Sequence, residues 1–130
     1  QFTDGNTNEI IMGVQAAPQT ATTTATLTAA QVTGGILVGT AGTGAVSYTM
    51  PTATAIDAVF TNAKVNSTFE LTVINLGTSS GVITMVVGTG ITAVGNLLVP
   101  ITGSAAGVSG AGQFLFRKTG DAAYTVYRVA

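Results

Sequence analysis

A chain of 130 residues fits one domain, since domains commonly run to about 100–200 residues, and it can bury a core without disulfides or metals. Only 7% of it is charged and 46% is hydrophobic, against about 25% charged in ordinary soluble domains. Four basic and five acidic side chains, with a formal net charge of −1, supply no basic run to neutralise phosphates or hold an anionic bilayer, so neither nucleic acid nor membrane is an expected partner.

Residues 1–24 read as an extended N-terminal arm, and residues 25–130 as a β-sandwich domain. The arm carries Asp4, Gly5, Asn6, Asn8, Pro18 and the run Thr20-Ala21-Thr22-Thr23-Thr24 around one apolar island, Ile10-Ile11-Met12-Gly13-Val14. It has too little patterned burial for a core of its own. A solvated tail would be odd with that island, so the arm is expected to be docked and not frayed. A chain that begins at Gln1 in place of Met is expected to have lost earlier residues through processing or design, or to be shown without them.

From Leu27 onward the punctuation is regular. Thr28-Ala29-Ala30-Gln31 matches a capping box and supports about one helical turn before Gly34-Gly35. Ile36-Leu37-Val38 and Val46 to Met50 read as short strands, the second ended by Pro51. Ile56, Val59, Phe60 and Ala63 recur at helical spacing, predicting one helix of about ten residues with Thr54 as N-cap and Asp57 in its first turn. Phe69 to Val73 alternates with the strand period; Val82 to Val87 reads as a central strand buried on both faces; Ile91 to Val94 follows a glycine turn. Leu97-Leu98-Val99 is a short strand that Pro100 places at an edge or at a strand end, and Gly103 to Gly112 is a small-residue loop.

The chain closes with a hairpin, Gln113 to Arg117 and Tyr124 to Val129, around Thr119-Gly120-Asp121. With Phe114 and Phe116 facing the core, Leu115 and Arg117 face the other side. Tyr124, Val126 and Arg128 share one face of the partner strand, and Thr125, Tyr127 and Val129 share the other. Both faces carry bulk, as expected where a second subunit covers one of them. Near-zero net charge points the same way, because little colloidal repulsion favours association.

Catalytic chemistry lacks its usual parts. With no histidine and no cysteine, the common general base and the standard zinc, copper and iron ligand sets are missing. No serine sits in a motif with Lys64 or Lys118. Asp57 reads as a helix-start residue, Glu70 as an exposed strand position and Asp121 as a turn residue, so none is left for acid–base work. Gly88-Thr89-Gly90-Ile91-Thr92-Ala93 matches the dinucleotide fingerprint only in its letters. No helix is expected after it, so a β-turn is the better reading. The sequon Asn66-Ser67-Thr68 is assigned no role. Tyr124 and Tyr127 could form a sugar-stacking platform, but core or interface packing is the stronger expectation. No enzyme activity, cofactor or metal site is expected.

Several of these segments carry a resemblance. Thr28-Ala29-Ala30-Gln31 with Gly35-Ile36-Leu37-Val38-Gly39, then Tyr48-Thr49-Met50-Pro51-Thr52, then Asn66 to Asn75, resemble modules of tailed-phage virion structural proteins, as does the ending Gly112 to Val129. The resemblance spans about Leu27 to Val129 and implies a jelly-roll-type sandwich, often trimeric, that decorates a capsid or ends a fibre. The expected fold is all-β: a jelly-roll-like antiparallel β-sandwich with one short helix and an extended N-terminal arm. The expected function is that of a capsid decoration (cement) protein on the virion's capsid surface, with itself, as a homotrimer, and the major capsid protein or another virion protein as partners. The alternatives are a fibre-tip or adhesin module binding a host glycan and a subunit of a secreted filament, both extracellular. The candidate interface comprises Ile10, Ile11, Met12 and Val14 on the arm and Leu115, Arg117, Tyr124 and Tyr127 on the hairpin.

Overall fold

The computed structural model describes residues 14–21, 23–41, 44–77, 81–101 and 110–130. The chain enters at strand β1 (Gln19–Ala21), passes to β2 (Ala25–Thr26), makes one turn of helix α1 (Ala29–Thr33) and returns as β3 (Ile36–Gly39). β4 (Val46–Thr49), α2 (Ala53–Val59), β5 (Thr68–Asn75), β6 (Ile83–Val86), β7 (Ile91–Val94) and β8 (Leu98–Val99) follow. β9 (Ala111–Gly120) and β10 (Ala123–Arg128) close the chain as a hairpin. The strands form a six-stranded sheet, β1-β3-β5-β9-β10-β7, and a four-stranded sheet, β2-β4-β6-β8. The expected β-rich, two-sheet architecture is therefore present. None of the described helices is long and apolar enough to cross a membrane.

The pairing departs from the antiparallel expectation. From β1 to β9 the chain changes sheet at every strand, so it winds as a flattened coil. Successive strands of one sheet then return in the same direction: β1 with β3, β3 with β5, β2 with β4 and β4 with β6 are all parallel, as is β7 with β10. Parallel neighbours need a long crossover, and here a strand of the opposite sheet supplies it. Antiparallel pairing is confined to β5 with β9, β9 with β10 and β6 with β8. Among the described residues only one tight hairpin turn occurs, at Asp121-Ala122, which fits this wiring.

The inner faces of both sheets meet in one core. Leu71 and Val73 of β5, Phe114 and Phe116 of β9 and Val126 of β10 meet Tyr48, Ile83, Met85 and Val99 of the small sheet. Gly39 is required by this packing: a Cβ there would lie 2.7 Å from Ile83 Cδ1 and 2.8 Å from Tyr48 Cε2. Tyr48 donates its hydroxyl to the Ala21 carbonyl at 2.8 Å, satisfying a polar tip inside the core. The strand at Val82 to Val87 is buried on one face rather than two, since Ile83 and Met85 are buried while Val86 is 38% exposed. Β-branched content set its strand character, and the sheet's open outer side set its exposure.

Asn75, at the end of β5, ties the layers together. It is fully buried; its side-chain oxygen accepts from Gly77 N at 2.8 Å and Ala41 N at 3.3 Å. Its amide donates to the carbonyls of Val99 at 3.2 Å and Gly81 at 3.4 Å. One side chain thus serves the large sheet, the small sheet and two loops.

Both helices are capped by threonine, and there are two of them where one was expected. Thr28 and Gln31 form the expected capping box, with Gln31 N donating to Thr28 Oγ1 at 3.2 Å and Thr28 N donating to Gln31 Oε1 at 2.8 Å. In α2 the cap is Thr52, directly after Pro51, instead of Thr54. The helix ends at Val59, and Ala63 lies in the following turn. Its buried stripe is Ala53 and Ile56, while Val59 is 48% exposed. Within residues 1–24, read as an arm, Gln19–Ala21 is the edge strand β1, which places that part in the sheet.

Candidate functional site

The displaced cap moves Asp57 from the first turn of α2 to the last. There a carboxylate opposes the helix dipole and needs an external partner. It has three. Lys118 Nζ lies 2.6 Å from Asp57 Oδ1, the Tyr124 hydroxyl donates to the same oxygen at 2.7 Å, and Ala122 N donates to Oδ2 at 2.7 Å. Lys118 follows Phe114 and Phe116 on the inner face of β9, and opposes Tyr124 across the hairpin. Its Nζ also sits 5.7 Å from the centre of the Tyr124 ring.

Hydrogen bonds from Lys118 and then Tyr124 hold the Asp57 carboxyl at about 2, below its ordinary 3.8. Burial, with the Asp57 carboxylate second, pushes the Tyr124 phenol well above its ordinary range. Asp57 therefore stabilises the fold while ionised: its contribution is complete above about pH 4 and is lost as the pH falls toward 2. Tyr124 stabilises while neutral, so its contribution is lost as the pH rises past about 10. With no histidine in the chain, stability is expected to be level from about pH 5 to 9, and Asp57 to account for a fall of about 2 kcal/mol on the acid side. Urea unfolding measured across this range tests it; a slope between pH 6 and 8 would contradict the assignment.

Beside the ion pair, an aromatic stack runs out from the core. Phe69 lies face to face with Phe116 at 4.7 Å, meets the edge of Tyr124 at 6.2 Å, and carries Phe60 at 5.0 Å on its outer side. A cleft of about 330 Å³ opens here between the end of α2 and the start of β5. Val59, Phe60, Ala63 and Phe69 form its apolar lining, Tyr124 its floor, and Thr61, Asn62, Ser67 and Thr68 its polar lining. The loop over it is pinned: Ala63 N donates to Phe60 O, Lys64 N to Ser67 Oγ, and Asn66 N to Lys118 O at 2.8 Å. Asn66 adopts φ +75° and its side chain accepts from Arg117 at 2.9 Å, a structural use of the sequon asparagine.

The hairpin's interface candidates separate. Leu115, Arg117 and Tyr127 lie half-buried on the outer face of the large sheet, where Leu115 opposes Tyr127 and Arg117 Nε donates to the Tyr127 hydroxyl at 2.9 Å. Tyr124 faces inward and is 2% exposed. Strand alternation alone sends positions 124 and 127 to opposite faces, so the two tyrosines form no common platform. Val14 is fully exposed, while Ile10, Ile11 and Met12 lie outside the described residues. Glu70 is exposed, accepting from Gln113, and Asp121 occupies the hairpin turn, both as expected. Gly88-Thr89-Gly90 is a turn that passes between the sheets with no helix after it, and a Cβ at Gly88 would strike the carbonyls of Met50 and Pro51. Among the described residues no three metal-ligating side chains come together. Comparison with protein-family models, with curated proteins and with solved structures gave no match.

Proposed function

We propose that this chain is a non-enzymatic structural protein that works inside a protein assembly, and specifically that it decorates a capsid surface as an oligomer and stabilises the shell. The observation that carries the reading is the outer face of the six-stranded sheet. Ile36 and Val38 of β3, Ile74 of β5, Leu115 of β9 and Tyr127 of β10 all point to that face, and none of them is buried. Leu115 stands between Glu70 and Tyr127, and Tyr127 is next to Val94, which is 50% exposed. Leu115, Tyr127 and Val94 form an apolar row across β9, β10 and β7 with Glu70 at its end, and Val38 with Ile74 forms a second patch beyond Thr72 and Gln113; exposed apolar groups of this kind support a surface that other protein covers. The likeness of Leu27 to Val129 to virion modules makes the capsid the specific reading. Of the jelly-roll likeness, the two-layer β-sandwich enters the proposal and the strand wiring does not. A bound oligomer would stabilise the shell by favouring the assembled state, with several copies adding avidity.

Sedimentation of the purified chain tests it. A closed oligomer is expected. Leu115→Lys places an ammonium opposite Glu70 while interrupting the row, and is expected to weaken self-association at least tenfold with the circular dichroism spectrum unchanged. A wild-type chain that stays single at high concentration would defeat the reading, and open-ended polymers would favour a filament subunit.

A further inference from the structure

We infer that the cleft at the end of α2 is a binding site for a small neutral saccharide, built around the ring of Phe60 with Phe69 packed behind it. This inference stands apart from the assembly reading, because the cleft lies at the end of α2 and not on the outer sheet face. Four observations converge on it. Its volume of about 330 Å³ falls at the lower end of small-molecule sites and suits one or two sugar rings. No charged side chain lines it, since Asp57 and Lys118 satisfy each other beneath its floor. An ionised ligand would gain no counter-charge there, and a neutral one loses none.

The chemistry of the walls is divided as a pyranose is divided. A sugar ring has an apolar face of C–H groups and a rim of hydroxyls. Phe69 is held between Phe116 and Phe60, so the partly buried Phe60 is the ring left for stacking in the cleft, and the negative quadrupole of its face attracts C–H hydrogens. Around it Asn62 offers an amide with both donor and acceptor, and Thr61, Ser67 and Thr68 offer hydroxyls. Ser67 Oγ already accepts from Lys64 N and keeps its proton free to donate.

The cleft is also preorganised. Phe69 is locked by Phe116 and Tyr124, and Tyr124 in turn is fixed by its hydrogen bond to Asp57. The loop from Phe60 to Ser67 is tied to β9 by two backbone hydrogen bonds, Asn66 N to Lys118 O and Lys118 N to Ser67 O. A ligand entering a site already held in place loses little affinity to ordering it. The sugar-stacking platform weighed at Tyr124 and Tyr127 is thereby replaced by Phe60, backed by Phe69, at one end of the sandwich.

The test is a saturation-transfer NMR titration of the whole chain with three neutral disaccharides, maltose, cellobiose and lactose. It reads the ligand's own signals, so it works on a single chain or an oligomer alike and its outcome is independent of the assembly result. Saturable transfer, strongest at ring C–H protons, is expected for at least one sugar at millimolar concentration. Phe60→Leu keeps the apolar volume and removes the ring, and Asn62→Ala changes an exposed amide. Each is expected to weaken binding roughly fivefold, the value of one stacking or hydrogen-bond contact, with the protein spectrum showing an intact fold. No saturable transfer from any of the three sugars, or transfer unchanged in both variants, would overturn the assignment, as would a cleft found occupied by a side chain of another copy.

Discussion

Asn75→Ala is expected to lower the unfolding free energy by about 4 kcal/mol, close to half of what a domain of this size commonly has. The substitution strands two N–H groups, of Ala41 and Gly77, and two carbonyls, of Gly81 and Val99, at a fully buried site. A buried group left without its partner costs about 1–3 kcal/mol, the carbonyls less than the amides because a second lone pair gives them other contacts. Asn75→Asp separates donor from acceptor roles. A carboxylate still accepts from both N–H groups but faces two carbonyls with nothing to donate. Its deficit relative to the wild type is expected to shrink as the pH falls toward 4, where protonation restores one donor. Guanidinium melts of both variants measure this; a loss below 1 kcal/mol for alanine would mean that water takes over the amide's work.

Asp57→Ala is the second large effect, about 3 kcal/mol, because it leaves the Lys118 ammonium buried and uncompensated. The Lys118 side chain is only 9% exposed, whereas that of Asp57 is 23% exposed. That asymmetry predicts an asymmetric pair of variants. Lys118→Met leaves Asp57 with the Tyr124 hydroxyl and Ala122 N–H, and is expected to cost about 1 kcal/mol. The double variant is expected to be more stable than Asp57→Ala alone, with a coupling of about 2 kcal/mol between the sites. Strict additivity would mean that the two charges do not act on each other. Because Tyr124 floors the cleft, Asp57→Ala is also expected to loosen the Phe69 stack.

Much of this was legible along the chain, and the legible parts share a cause. The capping box at Thr28 and Gln31, the edge position of β8 before Pro100, and the inward Phe114, Phe116 and Val126 all arise from neighbours two to four residues apart. Even the buried lysine was implicit: the alternation that turns Phe114 and Phe116 inward also turns Lys118 and Tyr124 inward, and a buried ammonium requires one of five carboxylates. Asp57 was hidden as its partner because a cap at Thr54 puts it at the helix start, whereas the helix is capped by Thr52. A two-residue shift carried the acid from one end of the helix to the other.

Composition and local period alone determined that this chain makes short strands, a capping box at Thr28 and Gln31, a helix around Ile56 and a final hairpin, with few charges to spare for its surface. Only the tertiary structure decided that the strands run mostly parallel, that Asp57 meets Lys118 across 61 residues, and that Asn75 joins both sheets. Among the described strands only β9 and β10 announce their pairing, through the tight turn between them. Parallel partners are joined through the opposite sheet, and no adjacent residues record which strands will meet.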